Sequence, residues 1–126
     1  MKISVVDDDF TALTLISDYL EDEGYEVVKA SNPDELENIE TFNAVIMDVM
    51  IGSDRTKGIR YILELAKKKS ITPDKLVIFI TNFGREKEEI KNLLDEVGEH
   101  IKFEFFDKSF DPAFYETLRE TIERHQ

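Results

Sequence analysis

The chain has 126 residues and no cysteine, and its 28 Asp and Glu outnumber its 16 Lys and Arg to give a net charge of −12. A single domain over residues 1–126 is large enough to bury about two-thirds of its unfolded surface without a staple. Disulfides and thiolate metal ligands are excluded, and so much negative charge repels a phosphate backbone, so no direct nucleic-acid partner is expected.

The order of patterns along the chain is that of an α/β protein. Met1-Lys2-Ile3-Ser4 runs straight into a strand, and no apolar stretch approaches the roughly 18 residues of a membrane span, so a cytoplasmic protein without a membrane partner is expected. The first helix is expected to start near Asp9, whose side chain can cap it, to turn Leu13, Ile16 and Leu20 to one side, and to stop at Gly24. A second strand over about Tyr25 to Lys29 leads to Asn32-Pro33, which reads as a cap and first helical residue before a short helix through Leu36 and Ile39. After Asp48 a loop runs to about Thr56, followed by a helix with Ile59, Ile62, Leu63 and Ala66 on its apolar face and by Pro73. A fourth helix carries Ile90, Leu93, Leu94 and Val97 and stops at Gly98, and a fifth starts at Asp111-Pro112 and buries Phe114, Leu118 and Ile122. Strands that alternate with helices predict βαβ units and a parallel sheet of five strands with five helices.

Four apolar runs stop on polar residues. Ile3 to Val6 ends at Asp7-Asp8-Asp9, Ala44 to Met47 at Asp48, Leu76 to Ile80 at Thr81, and Phe103 to Phe106 at Asp107-Lys108. In a parallel sheet these ends share one edge, where open α/β sheets bind ligands. Carboxylates, a hydroxyl and an ammonium gathered there suit Mg²⁺ and a phosphoryl group.

Val5-Val6-Asp7-Asp8, Ile46-Met47-Asp48, Ile80-Thr81 and Phe106-Asp107-Lys108 resemble, in order, the four signature positions of response-regulator receiver domains. The resemblance covers the whole chain. It implies a flavodoxin-like, doubly wound sheet of order 2-1-3-4-5 and a phosphoacceptor of a two-component or phosphorelay system. On this resemblance Asp48 takes a phosphoryl group from a histidine kinase or histidine phosphotransfer protein. Asp8, Asp48 and the carbonyl of Met50 hold Mg²⁺, with Asp7 acting through a water. Lys108 pairs with Asp48 and then with the phosphoryl oxygens. Thr81 bonds one of those oxygens after transfer and draws in the loop that follows the fourth strand. The signal then passes to an unknown downstream protein by contact, and Phe10, at the start of the first helix, is a candidate anchor for the kinase. The protein is not expected to be an enzyme beyond self-phosphorylation and autodephosphorylation.

The chain departs from that family's pattern in several places. Gly52 stands where a proline is common, and the next glycine, Gly58, comes about two residues late. Asn82 follows the threonine, Phe105 replaces an often-found tyrosine, and Ser109 replaces the proline after the lysine, so a trans Lys108–Ser109 bond is expected. Two other readings fit parts of the chain. Asp7-Asp8-Asp9-Phe10-Thr11 with Ile80-Thr81-Asn82 resembles two motifs of haloacid-dehalogenase-like phosphatases, with Asp7 as nucleophile and Asp9 as acid and base. That reading lacks a later acidic strand and leaves Asp48 without a role. The other is a receiver-shaped interaction module that takes no phosphate. Asp9 reads more simply as a helix cap, and His100 and His125 as surface residues.

Overall fold

The computed structural model describes residues 1–82 and 87–126. Five strands run through the chain: β1 (Lys2–Val6), β2 (Glu26–Ala30), β3 (Ala44–Asp48), β4 (Leu76–Thr81) and β5 (Glu104–Asp107). They alternate, among the described residues, with the α-helices α1 (Phe10–Asp22), α2 (Lys57–Lys67), α3 (Glu88–Gly98) and α4 (Pro112–His125). All strand pairs are parallel in the order β2-β1-β3-β4-β5, the flavodoxin-like arrangement expected from the sequence.

The sheet separates two apolar layers, and strand alternation decides which residue enters which. Ile3 and Val5 of β1, Ala44 and Ile46 of β3, and Leu76, Ile78 and Ile80 of β4 pack with Leu13, Ile16 and Leu20 of α1 and with Phe114, Leu118 and Ile122 of α4. Val6, Val45, Met47, Val77 and Phe79 point the other way, against Ile59, Ile62 and Ala66 of α2 and Ile90, Leu94 and Val97 of α3. With both faces covered, every residue of β3 and β4 is buried, which is why those strands read as unbroken apolar runs.

The expectation of five helices is corrected: among the described residues there are four. Where a short helix was expected through Leu36 and Ile39, the chain makes two separate 3-10 turns, Pro33–Glu35 and Ile39–Thr41. The start signal is real, since Asn32 and Glu35 form a reciprocal capping box. The helix does not propagate, because Leu36 turns extended and Asn38 takes a left-handed φ of 53°. Leu36 and Ile39 offer too little apolar face to offset the cost of nucleation.

Two boundaries also shift. The second strand begins at Glu26 rather than Tyr25, whose N–H closes the end of α1 on Leu20 O, and Gly24 makes the expected turn at φ 94°. Gly98 is the last residue of α3 and not the residue beyond it. The chain leaves that helix through Glu99 in a right-handed conformation, with bonds from His100 N and Ile101 N to Val97 O. Among the described residues, no helix is long and apolar enough to cross a membrane.

Candidate functional site

Parallel register aligns the strand ends. Val6 lies beside Met47, Asp48 beside Ile80, and Thr81 beside Asp107. The residues at or just after these ends therefore converge. Asp7 is fully buried, its N–H on Ala30 O at 3.1 Å and its Oδ1 accepting from Asp9 N at 2.9 Å. Asp48, the last residue of β3, is 4% exposed. Lys108 Nζ reaches between them, 2.7 Å from Asp7 Oδ2 and 3.2 Å from Asp48 Oδ1. The lysine thus pairs with Asp48, as expected from the sequence, and also with Asp7, which lies nearer.

The chain after β5 is folded to aim that ammonium inward. Lys108 N–H donates to Thr81 O and Ser109 N–H to Asp107 O, each at 2.9 Å. The Lys108–Ser109 bond is trans, and the reversal is completed by Phe110 at φ 53°.

A cleft of about 150 Å³ opens over the group, lined by Asp8, Asp9, Asp48, Met50, Gly52, Thr81, Asn82 and Lys108. Asp7 lies behind it. The exposed Asp8 accepts a bond from Gly52 N–H at 2.8 Å. Asp9 Oδ1 accepts from Thr11 N at 3.0 Å and Ala12 N at 3.4 Å, so Asp9 does act as the cap of α1. Thr81 is buried beneath the cleft, and Phe105 is packed in the core on the α2 and α3 side. The loop after β4, which the sequence reading made the moving part, includes residues 83–86, outside the described residues. His100 is exposed and His125 half-buried, both apart from the cleft. A larger cavity of about 230 Å³, near Lys75, Lys102 and His125, holds none of the clustered carboxylates.

The electrostatics are unbalanced. Burial, and next the charge of Asp7, push the Asp48 carboxyl up to about 8 against the opposing pull of Lys108. Burial alone lowers the Lys108 ammonium, but Asp7 and Asp48 outweigh it and hold it above the ordinary lysine value. Asp7, Asp8 and Asp48 each bring an oxygen within 4.8 Å of the others, and Asp7 Oδ2 is buried without a well-aligned hydrogen bond. Lys108 pairs with two of the three carboxylates, Asp7 and Asp48. This all-oxygen, net-negative donor set fits a hard divalent cation.

Two features escaped the sequence reading. A Cβ built on Gly58, near the start of α2, would stand 1.9 Å from the backbone oxygen of Asp48, so the displaced glycine is a point where α2 touches the main chain of Asp48. The Gly52 amide on Asp8 is the other. Both residues were visible as departures from the family's spacing, but a backbone donor and a close approach have no side-chain signature.

Comparison with known proteins agrees with this geometry. The profile described as "Response regulator receiver domain" matches residues 3–120. A CheY-like response regulator receiver domain protein from Methanospirillum hungatei JF-1 superposes with a TM-score of 0.75 at 24% identity, over 98% of this chain and 94% of that one. A response regulator receiver domain protein from Clostridium thermocellum gives 0.69 at 28% identity, over 98% and 94% of the two chains. The BeF3-activated DrrB receiver domain gives 0.70 at 26%, over 98% and 97%.

Proposed function

Because the chain belongs to the family of response-regulator receiver domains, we propose that it works by accepting a phosphoryl group on Asp48 from a phosphohistidine of a kinase or phosphotransfer protein. The observation that carries this reading is the convergence of Asp48 with Asp7, Asp8 and Lys108 at one cleft on the sheet edge. An Asp48 oxygen attacks phosphorus, the P–N bond breaks with its electron pair returning to that ring nitrogen, and an acyl phosphate and a neutral imidazole, protonated on its other nitrogen from the start, result. Such transfer asks for alignment and charge neutralisation more than for a strong base. Lys108 supplies one positive charge and is already between the carboxylates. Thr81, beneath the cleft, donates its hydroxyl to a phosphoryl oxygen after transfer. Asp7, Asp8, Asp48 and the Met50 carbonyl hold Mg²⁺, which supplies the remaining positive charge and favours ionised Asp48 at neutral pH.

The haloacid-dehalogenase reading is not favoured. Its acid and base, Asp9, is committed to capping α1. The downstream step is contact with a protein target, and the working compartment is the cytoplasm. The test is incubation of the full chain with acetyl phosphate and Mg²⁺, followed by mass spectrometry that locates the modified residue. Phosphate on Asp48, absent from Asp48→Asn, is expected. Phosphate on Asp7 would revive the phosphatase, and no modification by either acetyl phosphate or a phosphohistidine donor would leave a phosphate-independent interaction module.

A further inference from the structure

The loop between β3 and α2 is a small closed turn with one amide aimed at the acidic cluster. Ile51 N–H donates to Asp54 O at 3.0 Å and Asp54 N–H returns a bond to Ile51 O at 3.1 Å. Gly52, at the first corner, has φ 62°, a conformation that glycine adopts at little cost. From that corner its N–H reaches Asp8 Oδ2 at 2.8 Å. The far side of the turn is clamped. Asp54 Oδ1 accepts from Thr56 N at 3.1 Å, the Asp54 carboxylate pairs with Arg60, and Arg60 Nε donates to Thr56 Oγ1 at 3.0 Å.

Building on the cation reading above, we infer that the Gly52 backbone amide is a positioning group for cation binding, holding Asp8 where it can join Asp7 and Asp48. Asp7 and Asp48 are buried and paired with Lys108, but Asp8 is exposed and lies two positions past the end of β1. An exposed aspartate turns freely about its side-chain bonds, and ordering it upon metal binding costs entropy. A donor on one oxygen orders it beforehand and leaves lone pairs on the other oxygen for a cation. An amide also does this without adding a full positive charge that would repel the metal. Outer partners of this kind typically change metal affinity about 10–100-fold. Glycine meets both demands at position 52, an N–H and a positive φ; proline meets neither.

The experiment removes the N–H; its side effect, a weaker Ile51 carbonyl acceptor for Asp54 N–H, is controlled by a background without the Asp8 carboxylate. Glycolic acid incorporated in place of Gly52 by nonsense suppression converts the peptide link into an ester within the full chain. The Mg²⁺ dissociation constant is measured by calorimetry, and the thermal midpoint is measured without metal. The ester is expected to weaken Mg²⁺ binding about tenfold, with little change in the metal-free midpoint. In an Asp8→Ala background, which has no side-chain acceptor for the Gly52 N–H, the ester should have no further effect on binding. Gly52→Ala, which keeps the N–H at a strained φ, should lower stability equally with and without Mg²⁺. A dissociation constant for the ester within about twofold of wild type overturns the inference while leaving the cation reading intact. An equal loss in the Asp8→Ala background also overturns it, since the amide would then act through the fold. If the wild type binds no Mg²⁺, the cation reading falls and takes the inference with it.

Discussion

Gly58→Ala and Gly98→Ala are the same chemical change in two helices, and the structure gives them opposite signs. Each substitution should gain up to about 1 kcal/mol of helix propensity, less at Gly98 because it ends its helix. At Gly98 the new methyl would meet Phe103 Cε1 at 3.8 Å, an ordinary contact, so a net gain of a few tenths to about 1 kcal/mol is expected. At Gly58 it would meet Asp48 O at 1.9 Å, Asp48 C at 2.9 Å and Met47 Cγ at 3.0 Å. Reaching even a 3.0 Å contact requires a separation of about 1 Å between α2 and the end of β3, and backbone cannot rotate aside as a side chain does. Overpacking of this kind costs about 1–3 kcal/mol and more where rigid atoms collide, so Gly58→Ala should be destabilised by about 2 kcal/mol net. Because the displaced atoms belong to Asp48, phosphorylation by acetyl phosphate should fall as well. Urea unfolding without metal measures both variants through their midpoints at constant m. A Gly58→Ala protein as stable as wild type would refute the close approach and with it the account of how α2 fixes the acceptor.

Protonation of Asp48 should make the metal-free protein lose stability as pH rises. Its carboxyl moves from 3.8 to about 8 on folding, so between those values the native state keeps a proton that the unfolded chain has released; at about 1.36 kcal/mol per unit the ceiling is about 6 kcal/mol. Asp48→Asn lacks that proton, so denaturation from pH 5 to pH 8 should show the variant gaining on wild type, and saturating Mg²⁺ should close the gap; a gap independent of pH would contradict the assignment. Mg²⁺ at about 100 times its dissociation constant should stabilise wild type by about 2.7 kcal/mol, and Asp8→Ala should remove most of the resulting rise in melting temperature, as read by calorimetry. Asn82 and Met50 line the cleft beside the acceptor and should obstruct the water that hydrolyses phospho-Asp48, so Asn82→Ala should shorten its lifetime in Mg²⁺; an unchanged or slower decay removes Asn82 as a shield.

The sheet and its acidic edge were legible because four of the five strands carry an apolar run that stops on a polar residue, and parallel pairing turns such stops into neighbours. Asp7, Asp48, Thr81 and Lys108 needed no more than that. The helix expected after Asn32 failed for a different reason: capping is a local signal, whereas propagation depends on an apolar face that Leu36 and Ile39 are too few to make. The preference of Lys108 for Asp7 over Asp48 depends on a reversal through Ser109 and the left-handed Phe110, and a phenylalanine does not announce that conformation. Gly52 and Gly58 act through main-chain atoms, so only coordinates show what they touch.

The position of Lys108 after the last strand bears on the order in which the domain can assemble. Asp7 just after β1 and Asp48 at the end of β3 lie at the ends of neighbouring strands, while their ammonium partner arrives just after β5, when most of the chain has been synthesised. A nascent chain that ends before residue 108 can pair β1 with β3, but burying the two carboxylates together then lacks its counter-charge and is strongly disfavoured. The sheet edge therefore stays hydrated until β5 docks, and the acceptor pocket forms late, together with closure of the apolar layer beneath α4. A truncated or stalled chain is therefore expected to present an open acidic edge in place of the closed pocket.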